Sequence, residues 1–79
     1  MQDTDAVIID ARGLNCPLPV LRLRKQLMAM PAGARVQLIA TDRATLRDVP
    51  AFCAAHGLEV GVPHEGDGVI IFYIRKMSA

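Results

Sequence analysis

The chain has 79 residues, a net charge of +1 and a 52% hydrophobic composition with one Tyr, two Phe and no Trp. A chain of this length is expected to be a single domain, residues 1–79, that buries only about 60–65% of its unfolded surface around an aliphatic core. The near-neutral total argues against direct binding of nucleic acid or membrane. The acidic start Met1-Gln2-Asp3-Thr4-Asp5 lacks the basic and apolar regions of a signal peptide, and no apolar run approaches the roughly 20 residues that span a bilayer, so a cytoplasmic protein is expected. Cys16 and Cys53 form neither a disulfide framework nor a ligand-spaced pair, which points to reduced thiols and no bound metal.

In chain order, Ala6 to Ile9 is a β-branched run leading through Asp10-Ala11-Arg12-Gly13 into a loop, the pattern of a first strand. Val20, Leu23, Leu27 and Met30, flanked by Leu21 and Met28, recur at helical spacing until Pro31-Ala32-Gly33 stops them. Arg24 falls inside that apolar arc and is expected to snorkel at the edge of the core. Val36 to Ala40 is the second strand. Leu46, Val49, Phe52, Cys53 and His56 mark one face of a second helix that Gly57 ends, with Asp48 as its N-cap, Pro50 in its first turn and Leu46-Arg47 in the preceding turn. Leu58 to Val62 is a third strand stopped by Pro63. Glu65-Gly66-Asp67-Gly68 is a hairpin turn, Val69 to Ile74 is the last strand, and Arg75 to Ala79 is a frayed polar tail. The order β-α-β-α-β-β, with right-handed crossovers, predicts an α/β (α+β) two-layer sandwich in which both helices cover one face of a four-stranded mixed sheet. Because the last strand is apolar at nearly every position, it is either covered on both sides or leaves an exposed apolar patch.

Cys16-Pro17-Leu18-Pro19 places a thiol at the start of the first helix, where unpaired N–H groups and a partial positive charge favour a thiolate. If Pro17 opens the helix, the Cys16 sulfur can accept from the N–H of Leu18; if the helix begins at Pro19, the sulfur stands further out. The stretch between Asp10 and Asp42 has no acidic residue but contains Arg12, Arg22, Arg24, Lys25 and Arg35. Of these, Arg12, Arg22 and Lys25 are expected to lower the thiol pKa. Such a thiol suits exchange or sulfur transfer; the alternative is a small apolar residue packed under the first turn. A hydrolytic Cys/His pair and a metal site built on Cys53-x-x-His56 with Cys16 or His64 are poorly supported.

The run Asp10-Ala11-Arg12-Gly13-Leu14-Asn15-Cys16-Pro17-Leu18-Pro19, then Arg24-Lys25, Thr41-Asp42, Arg47-Asp48-Val49-Pro50-Ala51-Phe52-Cys53 and Tyr73-Ile74-Arg75-Lys76, resembles the TusA (SirA-like) sulfur-carrier family over almost the whole chain. The resemblance implies a two-layer sandwich similar to the C-terminal domain of bacterial translation initiation factor three. It also implies a cytoplasmic sulfurtransferase without a separate cofactor, whose Cys16 carries sulfane sulfur as a persulfide. Gly13, Pro17, Leu18 and Pro19 belong to the supporting motif. The implied donors are a cysteine desulfurase or a rhodanese-like protein. The implied acceptors are cysteines of TusD/DsrE-type proteins serving tRNA 2-thiouridine synthesis, with links to molybdenum cofactor assembly and sulfur oxidation.

For docking, Arg12, Arg22, Lys25 and Arg24 are the candidates to meet an acidic rim on a partner. Cys53 reads as core, and Asp10, Asp42 and Asp48 as turn and cap residues. His56 reads as a core-edge residue and His64 as a hairpin residue. The competing function is a non-enzymatic RNA- or protein-binding regulatory module with a structural Cys16, in which Phe72 and Tyr73 are the aromatic residues available for stacking.

Overall fold

The computed structural model describes residues 6–77. Its elements are β1 (Val7–Ala11), α1 (Leu18–Met28), β2 (Arg35–Ala40), α2 (Thr45–Ala55), β3 (Leu58–Val60), β4 (His64–Gly66) and β5 (Val69–Lys76). β1 and β2 are parallel, from Val7 opposite Val36 to Ala11 opposite Ala40. β5 inserts antiparallel on the far side of β2, with Leu38 opposite Phe72, and its outer edge pairs with β3 and β4. The two-layer α+β class and the element order follow the sequence expectation.

The strand count differs: the sheet has five strands where four were expected. The edge partner of β5 is split. Val60 lies opposite Ile74 and His64 opposite Ile71, so the three residues 61–63 face two residues of β5. That is a bulge, and its residues explain it: Gly61 weakens the ladder and Pro63 has no N–H to give it. β4 then returns into β5 through Asp67-Gly68, whose φ values of 54° and 77° are those of a tight hairpin turn.

One face of the sheet carries the core. Ile9, Val36, Leu38, Ile70, Phe72 and Ile74 pack against Leu23 and Leu27 of α1 and Val49 and Cys53 of α2, so both helices lie on this face. Phe72 has 0% of its surface exposed, and truncating such a side chain to alanine costs about 3–5 kcal/mol. The strict period of two answers the question posed by the apolar last strand. Ile70, Phe72 and Ile74 are buried, whereas Tyr73 is exposed and Ile71 half-buried on the opposite face, which also carries the exposed Ile8 of β1 across Gln37 of β2.

The helix boundaries bring three corrections. α1 begins at Leu18, between the two candidate starts, with Pro17 as its N-cap and Pro19 in its first turn. Its buried stripe is Pro19, Leu23 and Leu27, so Arg24, Leu21 and Met28 stand in solvent. α2 begins at Thr45 rather than after Asp48, and Pro50 lies inside it. Thr45, Val49 and Cys53 recur every four residues and are all buried, so tertiary packing on both sides of Pro50 outweighs the hydrogen bond that the proline removes.

The expected polar tail is also partly strand. β5 runs to Lys76, whose N–H donates to the Ala34 carbonyl at 2.8 Å. Its ammonium group donates to the carbonyls of Leu27 at 2.8 Å and Met30 at 2.7 Å, which ties the last turn of α1 to the sheet. A cation among the carbonyls of a helix C-terminus adds hydrogen bonds to them and opposes their partial negative charge. Lys76→Met keeps the aliphatic stem but loses both bonds, and is expected to lower unfolding free energy by about 1–3 kcal/mol in urea denaturation. An unchanged midpoint would show that Lys76 contributes nothing to the closure of α1 on the sheet.

Candidate functional site

The parallel pair β1–β2 sends two loops out of the same sheet end, β1 to α1 and β2 to α2, and hydrogen bonds tie the loops together. The N–H of Gly13 donates to Thr41 Oγ1 at 2.9 Å, and the N–H of Cys16 donates to Asp42 Oδ2 at 2.7 Å. Gly13 has a φ of 79°, a conformation that glycine adopts without a Cβ penalty, and Leu14 closes the turn through the Ala11 carbonyl. Asp42 also accepts the Ala44 N–H at 3.0 Å on Oδ1, while its carbonyl takes the Thr45 hydroxyl at 2.7 Å. The N-cap position of α2 is Ala44 rather than Asp48 and carries no side-chain cap; Asp42 holds the turn that leads into the helix, and the Asp48 side chain is left to another partner.

That partner is Cys16. The thiol donates to Asp48 Oδ2, and the other carboxylate oxygen, Oδ1, accepts from Arg47 Nε at 3.0 Å. Cys16 is half-buried at the junction of the two loops, and the peptide bond to Pro17 is cis. The sulfur does not cap α1, because the Leu18 N–H donates to the Asn15 carbonyl at 2.9 Å and Pro17 makes no side-chain cap.

The electrostatics reverse the expectation of a lowered thiol pKa. The hydrogen bond to the Asp48 carboxylate, followed by desolvation and the charges of Asp48 and Asp42, pushes Cys16 from 9.0 up to about 11, with Arg47 opposing. Arg12 and Arg22 are committed elsewhere. Arg12 forms a two-pronged pair with Asp10 at 2.9 Å, which holds that carboxyl down at about 2, and Arg22 donates to the Asp10 carbonyl at 3.2 Å. The cation that acts on the sulfur is Arg47, a residue that sequence reasoning placed in a turn. The Arg47-Asp48-Val49-Pro50 run was visible, but assigning Asp48 to an N-cap concealed its direction.

The basic candidates separate around α1. Arg22 and Lys25 line a groove with Asp10 and Ile8 at the β1 side, whereas Arg24 lines one with Met28, Phe52 and His56 at the opposite side. Leu18, Leu21, Arg22 and Lys25 follow the i, i+3, i+4, i+7 spacing of one helix face. Leu18 and Leu21 are 49% and 51% exposed, so this face begins with an apolar pair two residues from the sulfur and continues into cations.

Cys53 is buried in the core, where desolvation raises its pKa to about 11. His56 is exposed and stacks on Phe52 with ring centroids 4.4 Å apart, and His64 packs edge-on against Tyr73 at 5.4 Å. Among the described residues, no group of three His, Cys, Asp or Glu side chains is placed to hold a metal ion. None of the helices described is long and apolar enough to cross a membrane.

Comparison with known proteins places this geometry in a family. The family described as "Sulfurtransferase TusA" matches residues 7–76. The chain is 42% identical to a sulfur carrier protein TusA of Pseudomonas putida over 75 residues, covering 95% of this chain and 94% of that protein. It is 44% identical to the sulfur carrier protein TusA of Pseudomonas entomophila over 70 residues, covering 89% of this chain and 88% of that one. The crystal structure of a SirA-like protein from Desulfitobacterium hafniense superposes with a TM-score of 0.81 at 28% identity, covering 91% of this chain and 99% of that one. The matched segment contains both tied loops, both helices and every strand, and the chain belongs to the sulfurtransferase TusA family.

Proposed function

We propose that this protein is a cytoplasmic sulfur carrier in which Cys16 takes up sulfane sulfur as a persulfide and delivers it to a cysteine of an acceptor protein. The observation that carries this reading is the contrast between the two thiols: Cys16 is half-buried at the loop junction, and Cys53 has 0% exposure within the core. Loading is attack of the Cys16 sulfur on the outer sulfur of a donor persulfide. The new bond joins Cys16 Sγ to that sulfur, the donor's S–S bond breaks, and the donor cysteine leaves as a thiolate that takes up the proton released from Cys16. Unloading repeats the exchange with an acceptor thiolate as nucleophile. The transferred sulfur keeps its oxidation level, so neither step needs an oxidant or a separate cofactor.

The donor in this reading is a cysteine desulfurase or a rhodanese-like protein. The acceptor is a TusD/DsrE-type protein serving tRNA 2-thiouridylation or related sulfur traffic. Docking falls to the face of α1 next to the sulfur, with Leu18 and Leu21 as an apolar centre and Arg22 and Lys25 as a cationic margin for an acidic partner rim. Arg12 adds a charge largely spent on Asp10, and Arg24 points to the other side of the helix. An RNA-stacking role is weakened because Phe72 is fully buried and Phe52 is half-buried against His56, which leaves Tyr73 as the exposed aromatic ring.

Incubation with a cysteine desulfurase and cysteine, followed by intact-mass measurement without reductant, is expected to show a gain of one sulfur atom. Cys16→Ala should abolish the gain and Cys53→Ala retain it. A wild type that gains nothing, or two variants that gain equally, would rule out Cys16 as the carrier. Reversing the cationic margin with Arg22→Glu and Lys25→Glu together should slow loading by about 10-fold at low salt, with the deficit shrinking as salt screens the encounter. A loading rate independent of both the reversal and the salt would remove this face from the docking surface.

A further inference from the structure

Family membership and the carrier reading leave one contact without a role. The Cys16 thiol is aimed at a carboxylate rather than at solvent or at the N–H groups of α1. The contact is fixed from two sides. Asp42 Oδ2 holds the backbone N–H of Cys16 at 2.7 Å, and Arg47 Nε holds Asp48 Oδ1 at 3.0 Å, which leaves Asp48 Oδ2 turned to the sulfur. The Asp48 side chain is 29% exposed against 82% for Arg47, so the carboxylate sits under its arginine at the surface.

The geometry points to Asp48 as a positioning residue that holds the Cys16 proton and turns the sulfur toward α2, keeping the undocked carrier slow to react with small soluble electrophiles. The proposal rests on Cys16 being the carrier cysteine. A thiol whose proton is shared with an anion gives up its charge-neutral form reluctantly, because the thiolate would face two carboxylates. The charged groups facing the sulfur are Asp42 from the loop after β2, and Asp48 and Arg47 from α2. The first turn of α1 brings Leu18, Pro19, Val20 and Leu21, none of which ionises, and at the end of β1 Asp10 and Arg12 are paired with each other.

The direction follows from which protonation state the contact favours. Asp48 stabilises the thiol over the thiolate, raising Cys16 to about 11, while the same hydrogen bond lowers Asp48 itself. Only a thiolate attacks a sulfur or carbon electrophile, so the free carrier has a small reactive fraction at neutral pH. Any contact that draws Asp48 Oδ2 off the sulfur removes this restraint, so release of the thiol requires Asp48 to change partner.

The test needs no sulfur donor. Wild-type protein and Asp48→Asn are alkylated with iodoacetamide across about pH 7 to 10, and the label is located by peptide mass mapping so that only Cys16 is counted. In wild type the rate should keep rising with pH throughout this range without levelling off, because the thiol titrates at about 11. In Asp48→Asn the curve should bend at a lower pH than in wild type, because the hydrogen bond that contributes most to the upward shift is gone while desolvation and Asp42 remain. At about pH 8 each unit by which the thiol pKa falls raises the thiolate fraction roughly 10-fold and lowers its intrinsic nucleophilicity roughly 3-fold, so a net acceleration of about 3-fold per unit is expected. A wild-type profile that levels off at or below pH 9, or a variant no faster than wild type, would overturn the proposal; Asp48→Ser is measured in the same way if Asp48→Asn does not fold. Absence of sulfur uptake in the desulfurase experiment would overturn the carrier reading without altering this profile, so the two failures can be told apart.

Discussion

One carboxylate joins the halves of the site. Asp42 follows β2, and its two oxygens face opposite ways: Oδ1 receives the Ala44 N–H and starts α2, and Oδ2 receives the Cys16 N–H and holds the loop between β1 and α1. The start of α2 and the position of the cysteine are thus set by the same side chain. Once α2 starts at Thr45, Asp48 stands at its fourth position and reaches the sulfur. Hydrogen bonding from two N–H groups also keeps Asp42 ionised, its pKa lowered chiefly by the Cys16 and Ala44 amides.

The parallel pairing of β1 and β2 makes that bridge possible. Strands running the same way deliver both βα loops to one end of the sheet, where loops of unrelated sequence position come within hydrogen-bonding distance. Cys16 and Asp48 are 32 residues apart in the chain and in direct contact in the fold. β5 contributes at a distance by occupying the centre of the sheet. Its buried Ile70, Phe72 and Ile74 form the floor on which α1 and α2 rest side by side.

Periodicity was a reliable guide wherever burial was one-sided. The burial of Leu23, Leu27, Val49 and Cys53 follows from apolar spacing that the local sequence displays, whereas β5 is apolar at nearly every position and its alternation is set by which face of the sheet the helices cover. The errors have a common cause. Asp48, Pro50 and Lys76 were assigned from short-range rules, as an N-cap, a first-turn proline and a tail residue. Each is governed instead by a partner far along the chain or by packing on a neighbouring layer. Pro50 is held in α2 by the burial of Val49 and Cys53, and Lys76 is drawn to the C-terminal carbonyls of α1. The site was legible in its motif cysteine and in the whole-length family resemblance. Its electrostatics were not, because the helix-start rule predicts a positive field at Cys16, whereas two carboxylates, from the loop after β2 and from α2, occupy the space around the sulfur.

The contact between Cys16 and Asp48 also depends on the sulfur's chemical state. A thiol has one proton, and here that proton is the whole of the link to Asp48 Oδ2. When Cys16 Sγ bonds to a second sulfur it has no proton left to donate, so the link exists only in the unloaded protein. In the proposed persulfide an ionised outer sulfur would be repelled by Asp48 and Asp42, the carboxylates whose charges favour the thiol over the thiolate. On the proposed carrier reading the same two carboxylates would act in opposite senses before and after loading, favouring a sulfur that carries a proton and disfavouring one that carries a charge.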